Sequence, residues 1–108
     1  LGVEKDYKKA FEYLKKAADQ GHTMAQNALG KCFLKGEGVE ADFGKAFEYF
    51  KRAADQGYAY AQYNLGVCYI EGFGVEKADQ RKAIEYWEKA ANQGLDAAKE
   101  ALKNQGIR

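Results

Sequence analysis

Apolar residues recur every three or four positions through most of the chain, the spacing that gathers them on one face of an α-helix. Phe11, Leu14, Ala17 and Ala18 form one such set, and Phe47, Phe50, Ala53 and Ala54 form another. A second kind of segment carries Ala25, Leu29, Cys32 and Phe33, echoed by Ala61, Leu65, Cys68 and Tyr69. The pattern predicts an all-α chain of six helices over 6–20, 23–35, 42–56, 59–71, 79–93 and 96–105. The first, third and fifth are called B helices here, and the second, fourth and sixth A helices. Asp6, Asp42 and Asp79 open the B helices as N-caps, because a carboxylate accepts orphan backbone N–H bonds and suits the positive helix end. The chain has no proline, so glycine must stop its helices, and Gly21, Gly57 and Gly94 stand where the B helices end.

The helices belong to a repeat. With 2–37 set above 38–73, 21 of 36 positions are identical. Gly-Val-Glu opens both blocks, Lys-Ala-Phe-Glu-Tyr recurs at Lys9–Tyr13 and Lys45–Tyr49, and Ala-Ala-Asp-Gln-Gly recurs at 17–21 and 53–57. A third copy starts at Gly74 and is one residue longer just before Asp79, in a connecting loop. Gly30 and Gly66 fall inside predicted helices, where glycine costs about 1 kcal/mol against alanine. Close backbone contact between paired helices is the simplest compensation.

Composition narrows the function classes. Seventeen Lys and Arg balance 16 Asp and Glu among 108 residues. That gives no electrostatic reason to expect nucleic acid or an anionic membrane surface. No apolar run approaches the ~20 residues of a membrane-spanning helix, so membrane insertion is not expected. The chain holds no serine, which removes serine-nucleophile hydrolysis. His22 is the only histidine and falls in a turn, with no nucleophile paired to it by any motif. Glu37 and Glu40 lie on a loop and a charged surface rather than as a general acid–base pair. Gly72-x-Gly74 lacks a third glycine and follows a helix, so a phosphate-binding loop fails on context. Cys32 and Cys68 occupy the same inward position one repeat apart, about 10 Å, beyond disulfide reach. They read as buried free thiols. No metal-ligand cluster and no cofactor is expected, and the chain is not read as an enzyme.

Ala61-Gln62-Tyr63-Asn64-Leu65-Gly66, continuing through Gly72-Phe73-Gly74-Val75 to Lys82-Ala83 and Ala90-Ala91-Asn92-Gln93-Gly94, resembles the Sel1-like repeat family, a relative of the tetratricopeptide repeats. The resemblance covers nearly the whole chain. It implies a right-handed α-solenoid of antiparallel helix pairs whose members act as adaptors in protein complexes. A cysteine-rich, secreted branch of that family staples each helix pair with a disulfide at positions aligning with Ala18 and Gln26, and both cysteines are absent here. The last A helix departs from the pattern, with Lys103 in the register of Gly66 and Gln105 in that of Cys68. A polar end helix suits a capped solenoid terminus. The chain starts mid-repeat at Leu1, with Phe11 and Leu14 lacking a preceding partner. One repeat domain over 1–108 is therefore expected, as the C-terminal part of a longer array.

Positions that match between copies are explained by packing, so the differences are free to serve partners. His22, Met24, Asn27, Lys31, Lys35 and Glu37 become Tyr58, Tyr60, Tyr63, Val67, Glu71 and Phe73. Tyr60, Tyr63, Val67 and Ile70 recur every three or four residues and share one side of an A helix. By resemblance to tetratricopeptide arrays, that side lines a concave groove, with Asn27 and Lys31 as the equivalents of Tyr63 and Val67 one repeat earlier. The expected partner-binding residues are Asn27, Lys31, Tyr60, Tyr63, Asn64, Val67 and Ile70, facing a protein or peptide. Four alternatives stay open at this point. Tyr60 and Tyr63 pack between adjacent A helices; Asn64 is structural; the chain only stacks on further repeats or self-associates through its N-terminal helix; or, by resemblance to some cysteine-rich relatives, it is a hydrolase-type enzyme.

Overall fold

The computed structural model describes residues 2–106, with side-chain surroundings from Asp6 onward. Its helices are α1 (Gly2–Asp19), α2 (Thr23–Lys35), α3 (Phe43–Asp55), α4 (Ala59–Glu71), α5 (Gln80–Asn92) and α6 (Asp96–Asn104). No strand occurs among the described residues. Asp42 and Asp79 cap α3 and α5: each carboxylate accepts a backbone N–H three residues on, from Lys45 at 3.0 Å and Lys82 at 3.1 Å. Gly57 ends the turn after α3 at φ +86°, left-handed backbone that a side chain would strain.

Asp6 caps nothing, against expectation, because α1 already runs from Gly2. The reason lies in what precedes each B helix. The backbone N–H of Asp42 donates to the Phe33 carbonyl at 2.9 Å, and that of Asp79 to the Tyr69 carbonyl at 2.8 Å. Each bond pins the turn to the preceding A helix and forces the next helix to start at the aspartate.

Each helix packs on its neighbours in sequence, giving a 44 × 24 × 24 Å α-solenoid with α1, α3 and α5 in one layer and α2, α4 and α6 in the other. The core comprises two clusters. One gathers Leu29, Phe33, Phe50, Ala53 and Leu65, and the other Tyr69, Ala83, Trp87, Ala90 and Leu102. The repeat is visible in the aromatic contacts. Phe33 stacks on Tyr49 at 5.8 Å between centroids, with Lys45 and Arg52 over the two rings. Tyr69 stacks on Tyr86 at 5.7 Å, with Lys82 and Lys89 in the same places. These cations shield ring faces that would otherwise meet water, and the contact itself is favourable.

Gly30 and Gly66 are explained by rings more than by backbone. A Cβ on Gly30 would come within 2.6 Å of the Phe50 ring and 3.2 Å of the Ala46 carbonyl. At Gly66 it would collide with the Trp87 indole. Both cysteines are free and buried.

Candidate partner-binding face

The A helices present a shared side because their register is tied across the repeat. Asn64 Nδ2 on α4 donates to Asn27 Oδ1 on α2 at 2.9 Å. This bond brings the two expected site asparagines together and uses them. Asn27 is only 8% exposed, so it forms the floor of the surface, with little left to offer a partner directly. Asn64 remains half-buried beside it.

The remaining expected residues spread along this floor. Tyr60 is 55% exposed, its ring tilted against Tyr58 at 5.6 Å. Tyr63, Val67 and Ile70 are half-buried, with one side packed against the second core cluster and the rest open. Lys31 is exposed on α2. Tyr60, Tyr63, Val67 and Ile70 thus form an apolar ridge along α4, anchored from behind, and Lys31 stands beside it. Sequence reasoning passed over Met24, which is 69% exposed and holds Tyr60's register on α2. It also passed over Ala97, Glu100 and Asn104, which occupy the registers of Tyr60, Tyr63 and Val67 on α6 and are all exposed. Extending the repeat alignment by its longer third spacing would have found them.

A set of glutamine contacts, also unread in the sequence, holds this layer to the other. Gln56 Nε2 donates to Gln26 Oε1 at 2.8 Å, and Gln93 Nε2 to Gln62 Oε1 at 2.9 Å. Gln26 Nε2 in turn donates to the Ala18 carbonyl at 3.4 Å. Ala18 and Gln26, where the cysteine-rich branch of the resembled family carries its disulfide, are therefore direct neighbours here, joined by a hydrogen bond. The signal was the recurring Ala-Gln and Asp-Gln-Gly or Asn-Gln-Gly, whose glutamines pair A helix to B helix.

Two open grooves flank the solenoid. One of about 360 Å³ lies at the α1–α2 end, among Tyr13, Leu14, Ala17, Met24 and Ala28. Another of about 830 Å³ lies between α5 and α6, lined by Glu88, Lys99, Leu102 and Lys103 among others. Neither contains a cysteine, and only the first contains a histidine, the turn residue His22. Among the described residues no three His, Cys, Asp or Glu side chains are grouped as a metal site would need. No described helix is long and apolar enough to cross a membrane. Burial pushes the Cys68 thiol up to about 12 and raises Cys32 and Tyr69 in the same direction. All three lie in the packed interior, where burial favours the protonated form.

The Sel1 repeat pattern matches residues 1–22, 23–58 and 59–95, the second and third matches opening where α2 and α4 begin. The chain belongs to the Sel1 repeat family. Solved relatives agree. The protective antigen c5321 of uropathogenic Escherichia coli, described as displaying an SLR fold, is 39% identical with a TM-score of 0.83, over 86% of this chain and 20% of that one. A Sel1 repeat protein from Oxalobacter formigenes is 42% identical with a TM-score of 0.80, over 86% of this chain and 69% of that one. Cysteine rich protein B of Helicobacter pylori is 29% identical with a TM-score of 0.77, over 85% of this chain and 68% of that one. The chain thus spans about a fifth of the length of the E. coli antigen. No curated protein matches it. Sel1 repeats typically serve as protein–protein interaction modules, generally as scaffolds without catalysis.

Proposed function

We propose that this Sel1 repeat segment is a non-catalytic adaptor that holds a peptide or protein partner in the groove along α2, α4 and α6. The carrying observation is Tyr60, a large aromatic that is 55% exposed at the head of the Tyr60–Tyr63–Val67–Ile70 ridge. Tyrosine offers large contact area at low entropy cost, and interface energy concentrates on such anchors. Tyr63, Val67 and Ile70 are pre-positioned by their packing, which lowers the ordering cost of binding. Lys31 and Asn64 supply polar contacts at the rim, over the buried Asn27.

Affinity capture from cell extract with wild type, Tyr60→Ala and Glu48→Ala tests this. Glu48 lies exposed on α3, in the other layer. Loss of the captured species with Tyr60→Ala and retention with Glu48→Ala is the expected result. Equal capture by all three proteins would overturn the groove assignment.

A second reading is favoured by the α1–α2 end, where Tyr13 and Met24 are 73% and 69% exposed. One repeat on, the counterparts of Tyr13 and Leu14 are covered by α2, through Phe33 on Tyr49 and Gly30 under Phe50. Self-association through this end would give a mass by light scattering that rises with concentration and stays monomeric in Tyr13→Lys.

A further inference from the structure

Balanced overall charge conceals a separation within the A-helix layer. The helices α1, α3 and α5 interleave both signs, as in Lys45, Glu48, Lys51 and Asp55 of α3. On α2 the only charged residues are Lys31 and Lys35, both exposed, and the helix contains no acidic residue. Neither lysine is ion-paired among the described residues. On α4 the only charge is Glu71, at the helix end beyond the ridge. On α6 the ridge register is held by Ala97, Glu100 and Asn104, so the charge facing the groove there is Glu100. Within the ridge register the charges are Lys31 on α2, none on α4 and Glu100 on α6; Lys35 shares the register of Glu71, beyond the ridge, and the exposed Lys99 and Lys103 lie in the registers of Gln62 and Gly66. The Asn64–Asn27 bond ties α2 to α4.

Resting on the groove reading above, we infer that the occupant is an extended peptide segment with an apolar centre, acidic residues at one end and basic residues at the other. Its apolar side chains lie on Tyr60, Tyr63 and Val67, its acidic end meets Lys31, and its basic end meets Glu100. Complementary potentials of this kind fix orientation and exclude wrong partners more than they add raw affinity. Exposed pairs are individually weak, so each charged end contributes about two- to fivefold and fades with salt.

The test uses a phage-displayed library of random dodecapeptides, selected on the immobilised protein and, in parallel, on Lys31→Glu and Tyr60→Ala. Wild type is expected to enrich sequences with an apolar centre flanked by opposite charges, and enrichment should weaken at high salt. The charge reversal, confirmed as folded by its helical circular dichroism, should switch selection to peptides basic at both ends. If apolar peptides without charge order are enriched, and Tyr60→Ala abolishes them, the charge inference is overturned while the groove reading stands. Enrichment that Tyr60→Ala leaves untouched, or no enrichment at all, overturns the groove reading itself.

Discussion

The Trp87 indole of α5 lies directly against the backbone of Gly66 in α4, and its Nε1 donates to the Tyr63 carbonyl at 3.1 Å. The site's half-buried tyrosine and the joint between two repeats therefore share one residue's backbone. Phe50 lies over Gly30 in the same way one repeat earlier. A mid-helix glycine here is a fitted surface for the next repeat's ring.

That fit sets an unusual sign for Gly66→Ala. Helix propensity favours alanine by about 1 kcal/mol, but forcing a methyl into a packed joint costs about 1–3 kcal/mol. Urea denaturation should show net destabilisation of up to about 2 kcal/mol. Gly44→Ala provides the contrast, because there a Cβ would meet only the Asp42 carboxylate at 3.4 Å. It should stabilise by about 0.5–1 kcal/mol.

Gln62 is 7% exposed and accepts from Gln93, which also donates to the Gly57 carbonyl at 2.9 Å. Gln62→Ala removes a buried side chain and the hydrogen bond it accepts from the exposed Gln93, and should lower stability by about 0.5–1.5 kcal/mol. The exposed Gln80–Gln105 bond is the comparison, and Gln80→Ala should cost under about 0.5 kcal/mol. Equal losses in denaturant titrations of the two variants would contradict a joint held through the buried Gln62.

Stability should fall in alkali. The Cys68 thiol, ordinarily near 9.0, is pushed up to about 12 by burial, so the native state keeps its proton after the unfolded chain has lost it. This contribution is complete below about pH 9 and is lost as pH rises from there to about 12, by at most ~1.4 kcal/mol per pH unit. Cys32 and Tyr69 are shifted the same way by burial and add to the same slope. Urea midpoints followed across that range should decline, and less steeply in Cys68→Ala. In the native protein at neutral pH, Cys68 should resist a thiol reagent until denaturant is added.

The two tyrosines of the ridge should separate stability from binding. Tyr60 is mostly in water, so Tyr60→Ala should leave the melting temperature nearly unchanged. Tyr63 has one side in the second core cluster, and Tyr63→Ala should cost about 2 kcal/mol. A large stability loss in Tyr60→Ala would mean that its ring is structural.

Much of the architecture was legible because the repeat displays each packing position more than once. Leu29 with Leu65 and Ala53 with Ala90 announce the core, and Asp42 and Asp79 announce the helix starts. Asp6 misled because a cap depends on a carbonyl from the preceding helix, which local sequence does not show. Asn27 differed between copies and so looked free for a partner. Its burial comes from Asn64 reaching across from the next A helix, a contact between non-equivalent registers that comparing aligned positions misses. The glutamine joints were hidden for the opposite reason: they matched between copies, and matching polar residues do not reveal their partners.

A photo-reactive benzoylphenylalanine placed at position 60, and separately at position 48, reads the binding face directly. Irradiation in extract should yield partner adducts from position 60 and none above background from position 48. Adducts from position 48 alone, on the layer of α1, α3 and α5, would contradict recognition by the A-helix face.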